Sequence, residues 1–380
     1  GGGSAGAVVA ARLSEDGAFR VALLEAGGHP PARASMPVAV GTLQLDPETD
    51  WMYLGDPGRA GRGLKDNRMP VPRGRMLGGS SGINYMAYVR GHPGDFDKWA
   101  ELGATGWSHE EVLPYFRKSE DLAPSNEITV DGDAHGSGGP LGVSVRSPVL
   151  PGARAFVAAA EAAGIPRGDY NGRDRTNPNG VTSLFQTTTR KGMRSSTYHA
   201  FLEGEAEARP NLTIITHAHV TRVLLDDSDG LRASGVEYRD AEGALRTVAA
   251  SREVILSAGA VGSPAILMHS GIGPRRELEA ADVACRHELP AVGKNLKDHL
   301  HCALFFEAPG IGVPVAEVGV SAGPDALRAP AGPLPADPAD DADLPAELAA
   351  LKAEAERRVA QWLETGESLA SSSLYDAVAF

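Results

Sequence analysis

The sequence opens with GGGSAG at residues 1–6, a G-x-G-x-x-G pattern. The apolar stretch after it, from Ala7 to Leu13, has helical spacing, and the run VALLE at residues 21–25 is typical of a short strand ending in an acid. Together they form the dinucleotide-binding fingerprint, in which glycines admit a pyrophosphate, a helix N-terminus attracts its charge and a carboxylate accepts ribose hydroxyls. The pattern predicts nucleotide contacts at Gly1, Gly3, Ser4, Ala5, Gly6 and Glu25.

Both ends of the sequence resemble interruptions of a longer chain. The first strand of a nucleotide-binding unit is expected before Gly1, because the glycine pattern normally follows a strand. The last residues, LYDAVAF at 374–380, have the composition of a strand with no turn behind it. We therefore expect the sequence to be truncated at both ends.

Composition argues against several classes of protein. The net charge of −13 disfavours nucleic acid, which is bound by clustered lysine and arginine. No apolar run reaches the length of about 18 residues that a membrane span needs, so none is expected. The two cysteines, Cys285 and Cys302, are too few for a disulfide framework, which suits a reducing compartment and predicts a cytoplasmic protein.

Hydrophobic patterning predicts a chain of mixed helices and strands. Helices are predicted over residues 95–121, 151–164 and 263–269, and strands over residues 141–145, 212–216, 220–225, 234–238, 246–248 and 252–257. Residues 308–342 are dominated by Ala, Pro, Gly and Asp, which is typical of a linker. Residues 344–364 then show the apolar spacing of a further helix.

The surroundings of the fingerprint favour FAD over NAD. An NAD-binding domain would continue with βα repeats at spacings of about thirty residues, and none is found. Instead, a second glycine-rich turn occurs at Gly78 and Gly79, and a strand–turn–helix pattern occurs at residues 254–269. Three distant segments of this kind indicate one elongated ligand.

Two long motifs resemble the signatures of the glucose–methanol–choline (GMC) oxidoreductase family of FAD-dependent enzymes. The first is PRGRMLGGSSGINYMAYVRG at residues 72–91, and the second is SAGAVGSPAILMHSGIGP at residues 257–274. The stretch VGKNLKDH at residues 292–299 is similar to a third common family motif. The resemblance runs from Gly1 to about Leu304.

The resemblance implies further contacts with FAD. Gly78, Gly79 and Ser80 would let the backbone lie against the cofactor, since a larger side chain there would collide with it. Ala258 and Gly259 would close over the pyrophosphate. Asn84, Tyr85, Met86 and Ala87 would pass beside the isoalloxazine ring, and Val220 would contact the adenine through its backbone. Some family members attach FAD covalently through a histidine at the position of Ile83, so this chain is expected to bind FAD non-covalently.

The resemblance also implies the reaction, which is oxidation of an alcohol to an aldehyde or ketone by hydride transfer to flavin N5. The partners would be a small-molecule alcohol and an electron acceptor, either oxygen or another compound. The histidine that takes the hydroxyl proton in the family is expected beyond Phe380, so no catalytic residue is assigned and the isolated chain is expected to be inactive. His299 and His301 are weaker candidates, and the pair His217 and His219 lacks the partners of a metal site.

Three other functions stay open. Cys302, four residues after Asp298, has a counterpart in the light-driven fatty acid decarboxylases of the same family, although a buried free cysteine is usually only an apolar residue. An NAD-dependent dehydrogenase and a non-catalytic flavin-binding fragment are the others. Flavin colour, reduction by alcohols and blue-light decarboxylation distinguish them.

The predicted fold is α/β. A Rossmann-like FAD-binding domain would be assembled from discontinuous segments, residues 1–150 and 205–304. An incomplete substrate-binding domain, built on an antiparallel sheet, would comprise residues 151–204 and 305–380.

Overall fold

The computed structural model describes residues 1–173, 180–228 and 230–299, isolated helical positions between 353 and 365, and a strand at residues 377–379. The chain divides into two compact units. Among the described residues, the first comprises 1–35, 40–84 and 195–299. The second comprises 36–39, 85–194 and the positions beyond 350. The main part of the second unit thus begins at Tyr85, whereas the sequence prediction kept residues up to 150 with the nucleotide-binding domain. The assignment of a function to each unit stays a prediction.

The first unit is built around helix α1 (Ser4–Leu13) and strand β1 (Val21–Leu24). Strand β1 pairs in parallel with β10 (Leu212–Ile215), which is the arrangement expected of a Rossmann-like sheet. The alanines of α1 are small, so the helix lies close to its neighbours, and its inner face is buried. This core consists of Ala7, Ala10, Ala11, Leu23, Leu77, Tyr198, Leu202, Ala206 and Leu212.

An antiparallel three-stranded sheet completes the first unit. It consists of β11 (His219–Asp226), β12 (Arg232–Arg239) and β13 (Leu245–Ala249), which confirms the predicted strands with slightly wider bounds. Helix α5 spans Gly259–His269 and also starts earlier than predicted. The α/β fold class is confirmed.

The strand predicted over residues 252–257 does not form. A strand requires a hydrogen-bonded partner, and none of the described segments pairs with these residues. Their apolar side chains instead line a cavity of about 340 Å³, where Val254 and Leu256 face Val223, Leu225 and Leu267.

The helix predicted over residues 95–121 is two helices. They are α2 (Pro93–Glu101) and α3 (His109–Ser119). The break contains Gly103 and Gly106, whose φ angles of 104° and 87° are accessible mainly to glycine. The two helices contact each other through aromatic rings, and the centroids of Phe96 and Phe116 lie 5.7 Å apart.

The rest of the second unit is a set of short strands around one helix. Strands β4 (Glu120–Leu122), β5 (Leu141–Val145) and β7 (Gln186–Thr187) form one sheet. Helix α4 (Pro151–Ala162) packs Ala153 and Val157 against Leu184. Leu184 belongs to strand β6 (Thr182–Leu184), which pairs with β16 (Ala377–Ala379).

Several shorter elements connect these parts. They are β2 (Tyr53–Gly55), β3 (Met69–Val71), β8 (Thr189–Arg190), β9 (Met193–Arg194), a helical turn at Tyr198–Leu202, β14 (Ile272–Gly273), α6 (Arg275–Ala280) and β15 (His287–Glu288). In the described part of the chain, no helix is long and apolar enough to cross a bilayer. The predicted linker at 308–342, His301 and Cys302 lie outside the described residues. Most of the predicted helix at 344–364 does too, but its five described positions are helical.

Candidate nucleotide-binding site

The second glycine-rich turn lies directly against the fingerprint loop. The backbone N–H of Gly78 donates to the carbonyl oxygen of Gly2 over 2.8 Å. Gly78 and Gly79 have left-handed φ angles of 89° and 50°. A Cβ atom added to Gly79 would lie only 2.6 Å from the Cα of Gly3, so any larger residue would push the two loops apart.

A third segment reaches the same place from the start of α5. A Cβ atom on Gly1 would lie 3.1 Å from the Cα of Ala258. The Ala258 N–H donates to the Ser263 hydroxyl over 3.0 Å, and Gly259 turns the chain with a φ of 78°. The structure therefore brings together three segments that are far apart in the sequence. We call residues 1–6, 78–79 and 258–259 the glycine cradle.

The N-terminus of α1 is the open part of the glycine cradle. Gly3 occupies the N-cap position in an extended conformation, and no described side chain caps the helix there. Ser4 and Ala5 are exposed, while Gly6 is buried against the carbonyl oxygen of Gly1, where a Cβ atom would overlap it. The first N–H groups of a helix have no partner within the helix and carry its positive partial charge. They form a suitable site for phosphate.

Glu25 lies beside the cradle and is only 6% exposed. One carboxylate oxygen accepts the N–H of Gly2 over 2.7 Å, and the other accepts that of Gly27 over 3.0 Å. A carboxylate offers about four acceptor sites, so both oxygens can still accept a hydroxyl. The Glu25 carbonyl accepts the N–H of Ala218, which leads into β11, where half-buried Val220 precedes a bulge.

The residues after the second glycine turn continue along the first unit. The Ser80 hydroxyl accepts the N–H of Gly74 over 3.1 Å, and the Asn84 side chain is exposed. Between them, Ile83 is 2% exposed and packs in a core with Ala34, Leu43 and Met76. Position 83, where the resemblance implies a linking histidine in some family members, is therefore occupied here by a buried hydrocarbon.

The remaining predicted contacts, Tyr85, Met86 and Ala87, belong to the second unit. Met86 is fully buried and has a left-handed φ of 61°, a conformation that residues other than glycine rarely adopt. Its carbonyl oxygen accepts the N–H of Thr188 over 2.8 Å, and Ala87 pairs with Thr187.

The described histidine candidates have ordinary surroundings. A Cβ atom on Gly28 would lie 3.0 Å from His217 Nε2, and the ring of His219 lies 5.2 Å from that of Trp51. Burial, with a smaller effect of nearby Arg75, lowers the pKa of His219. His299 is exposed. Within the described ranges, no group of three or more His, Cys, Asp or Glu side chains is arranged so that it could hold a metal ion.

The sequence analysis missed some of the site's structural residues. Gly2 and Gly27 provide the N–H groups that hold Glu25, and Gly74 packs so tightly against Gly79 that a Cβ atom would overlap the Gly79 backbone. The signal available was glycine itself, because Gly74 lies in the first signature and Gly27 follows the acid by two residues.

Comparison with known proteins agrees with this geometry. The model of the GMC oxidoreductase family matches residues 1–301. Oxygen-dependent choline dehydrogenase of Pectobacterium atrosepticum is 44% identical over 314 residues, which cover 80% of this chain and 53% of that protein. The enzyme of the same name from Pseudomonas putida KT2440 is 44% identical over 317 residues, with the same coverage. The chain thus spans about half the length of the curated relatives it matches.

Solved structures show the same likeness. Pyridoxine 4-oxidase from Mesorbium loti aligns with a TM-score of 0.68 and 37% identity, over 76% of this chain and 54% of that one. A formate oxidase variant from Aspergillus oryzae aligns with a TM-score of 0.77 and 27% identity, over 100% of this chain and 60% of that one. The family match, the identities and the glycine cradle lead to one conclusion: the chain belongs to the GMC oxidoreductase family.

Proposed function

We propose that this chain binds FAD without a covalent bond and supplies the flavin-binding part of an oxidoreductase that converts an alcohol to an aldehyde or ketone. The observation that carries the proposal is the glycine cradle, in which three distant segments meet with no room for a Cβ atom at Gly79. A cradle of bare backbone beside an uncapped helix is the usual protein solution for holding a pyrophosphate.

The residues present fit the parts of FAD. The free N–H groups of α1, starting at Ser4 and Ala5, would hold the pyrophosphate. Glu25 would accept the ribose hydroxyls with the acceptor sites that Gly2 and Gly27 leave unused. Val220 would approach the adenine through its backbone. Ala258 and Gly259 would cover the pyrophosphate.

Non-covalent binding is supported by Ile83, because an alkyl side chain in a closed core has no atom that could bond to the flavin. The stretch Asn84–Ala87 is proposed to lie beside the isoalloxazine ring, where its backbone would orient the ring. When bound, FAD supplies the acceptor for the two electrons and the hydrogen that leave the alcohol carbon. The residue that takes the hydroxyl proton is proposed to lie outside the described residues.

The substrate is proposed to be a small alcohol. Choline is the first candidate to test, because the curated relatives at 44% identity are named choline dehydrogenases. Oxygen or another compound would accept the electrons in turn. The cytoplasmic location stays a prediction.

A titration of the 380-residue chain with FAD tests the proposal. We expect the flavin absorbance spectrum to change on binding, FAD to be released on denaturation, and NAD not to compete. Gly79→Ala should weaken FAD binding by at least roughly tenfold, since it adds a left-handed penalty and a contact with Gly3.

Gly41→Ala is the matched control. Gly41 lies in the same unit, and a Cβ atom there has no neighbour within 4 Å. Equal FAD affinity of the two variants and the wild-type chain would contradict the cradle. Binding of NAD in place of FAD would favour a nicotinamide-dependent dehydrogenase instead.

A further inference from the structure

The second unit contains a buried network of charged side chains that the proposed function does not use. Arg90 Nη2 lies 2.9 Å from Glu120 Oε2. His135 bridges two acids, with Nδ1 2.9 Å from Glu120 Oε1 and Nε2 2.9 Å from Asp169 Oδ2. The exposed fraction of each of these four side chains is 7% or less. Buried charges are rare unless each one is paired, as here.

The charges in this network balance when His135 is protonated. Each ring nitrogen faces a carboxylate oxygen, which only accepts hydrogen bonds, so both nitrogens must donate. Burial alone would lower the pKa of His135, but hydrogen bonds to Asp169 and Glu120 outweigh it and raise that pKa to about 9. Two cations, Arg90 and His135, then face two anions.

Asn171 connects this network to the main chain that follows the proposed flavin-contacting stretch. Its Oδ1 accepts the backbone N–H of Arg90 over 2.8 Å, and its Nδ2 donates to the Tyr88 carbonyl over 2.9 Å. Nδ2 also donates to Gln186 Oε1, and Gln186 Nε2 in turn donates to Asp169 Oδ1. A single side chain thus binds residues 88 and 90 as a neighbouring strand would.

The segment held in this way contains the strained residue Met86. The neighbouring backbone closes on it from residues 186–188: Tyr88 N–H donates to the Gln186 carbonyl, and Thr188 N–H donates to the Met86 carbonyl, both over 2.8 Å. A left-handed conformation at a residue other than glycine persists only where its surroundings enforce it, and such residues cluster at functional sites.

We propose that Arg90, Glu120, His135, Asp169 and Asn171 form a charge clamp that fixes the backbone of Met86–Arg90, and that Asn171 is its positioning residue. The clamp holds the left-handed turn at Met86, and through it the orientation of the stretch Asn84–Ala87. The effect on FAD rests on the proposed function, whereas the effect on the backbone does not.

Hydrogen–deuterium exchange and FAD titration of the 380-residue chain test the clamp together. Asn171→Ala should raise the exchange rate of the Arg90 amide roughly tenfold, because that N–H loses its acceptor. The Tyr88 amide keeps the Gln186 carbonyl as its acceptor, so its exchange should rise by less, and α4 should keep its protection. It should also weaken FAD binding roughly tenfold and shift the flavin absorbance spectrum. His135→Gln breaks the network between Glu120 and Asp169. It should likewise speed amide exchange and weaken FAD binding, and it replaces Asn171→Ala if that variant does not fold.

Arg154→Gln is the matched control, since it breaks the exposed Arg154–Glu127 ion pair of the same unit. It should leave the exchange of residues 88 and 90 and the FAD affinity unchanged. Unchanged exchange at those amides in a folded Asn171→Ala chain would overturn the clamp. So would faster exchange spread evenly over the unit, which would indicate a general structural role. A wild-type chain that binds no FAD would overturn the proposed function instead, and the exchange data would still decide the clamp.

Discussion

The glycine cradle of the first unit and the charge clamp of the second differ in their hydrogen bonding. The cradle leaves backbone N–H groups unpaired, whereas the clamp pairs its buried polar groups. At the cradle, α1 begins at Ser4 after the N-cap residue Gly3, no side chain caps it, and its first N–H groups stay available. In the clamp, the single carboxylate of Glu120 accepts hydrogen bonds from Arg90, His135 and the Gly136 N–H. A binding site depends on groups left unpaired for the ligand, whereas a positioning element depends on pairing all of them.

The largest expected effect comes from breaking the clamp at its centre. Glu120→Ala leaves Arg90 and His135 buried without their shared anion, so the free energy of unfolding should fall by about 3–5 kcal/mol. Urea unfolding of the apo chain measures this. Glu127→Ala, which removes the exposed partner of Arg154, should cost less than about 1 kcal/mol. Similar losses for the two variants would mean that the clamp is no stronger than a surface ion pair.

A smaller effect is expected at Glu25 beside the cradle, where each carboxylate oxygen accepts one backbone N–H. Glutamine at position 25 has one acceptor oxygen, so Glu25→Gln would leave the N–H of either Gly2 or Gly27 facing an amide donor. The free energy of unfolding should fall by about 1–3 kcal/mol, and FAD binding should weaken with the lost charge. Thermal unfolding and FAD titration measure the two effects. Glu15→Gln, on the surface beside Arg12, should change neither.

The clamp should also make stability depend on pH. The folded pKa of His135, about 9, lies above its ordinary value of 6.5. Protonated His135 therefore stabilises the folded chain fully below about pH 6.5, and this contribution is lost as the pH rises through 9. Glu120 and Asp169 contact the ring, Arg90 binds Glu120, and Arg117 and Lys118 line the adjoining cavity.

We expect the unfolding midpoint of the wild-type chain to decline over this alkaline range. His135→Gln should flatten that part of the profile. A wild-type decline that persists unchanged in the variant would assign it to other groups. Asp169 affects stability at acidic pH instead. Its pKa is lowered in the folded chain, so its contribution to stability is lost as the pH falls below the ordinary value of 3.8.

The smallest expected effect comes from adding a side-chain cap to the open N-terminus of α1 in the cradle. Gly3→Ser would place a capping hydroxyl at the start of α1, and its Cβ has room, with Gly79 Cα 3.6 Å away. The apo chain should gain a few tenths of a kcal/mol, roughly 0.3. FAD binding should nevertheless weaken, since the hydroxyl would take the N–H groups meant for phosphate. Tighter FAD binding would contradict the role of the open helix end.

The cradle could be predicted from the sequence because a glycine indicates where the backbone must turn with a positive φ or approach another segment closely. Gly3 and Gly79 contact each other across 76 residues, yet each carries its own local signal. The break between α2 and α3 had such a signal too, in Gly103 and Gly106, but the aromatic periodicity of residues 95–121 concealed it. The predicted strand at 252–257 failed because an apolar run indicates burial without naming a partner strand.

The clamp could not be predicted in this way. Asn171 binds the backbone of Arg90, which is 81 residues away in the sequence. Nothing in the sequence around Asn171 indicates that its side chain binds the backbone of another segment. His135 lies in a run of glycines typical of a turn, and its two acids are 15 and 34 residues distant. The left-handed conformation of Met86 could not be predicted either, because methionine has no preference for it.

The burial of Ile83 has a consequence for the life of the protein in a cell. A cofactor that is not bonded to its protein leaves and returns, so the loaded fraction follows the free flavin concentration by mass action. Free FAD at a hundredfold excess over the dissociation constant would add about 2.7 kcal/mol to stability. During flavin shortage that contribution would disappear, and the larger unfolded fraction would be open to proteases. The abundance of the protein would then track the vitamin supply from which FAD is made.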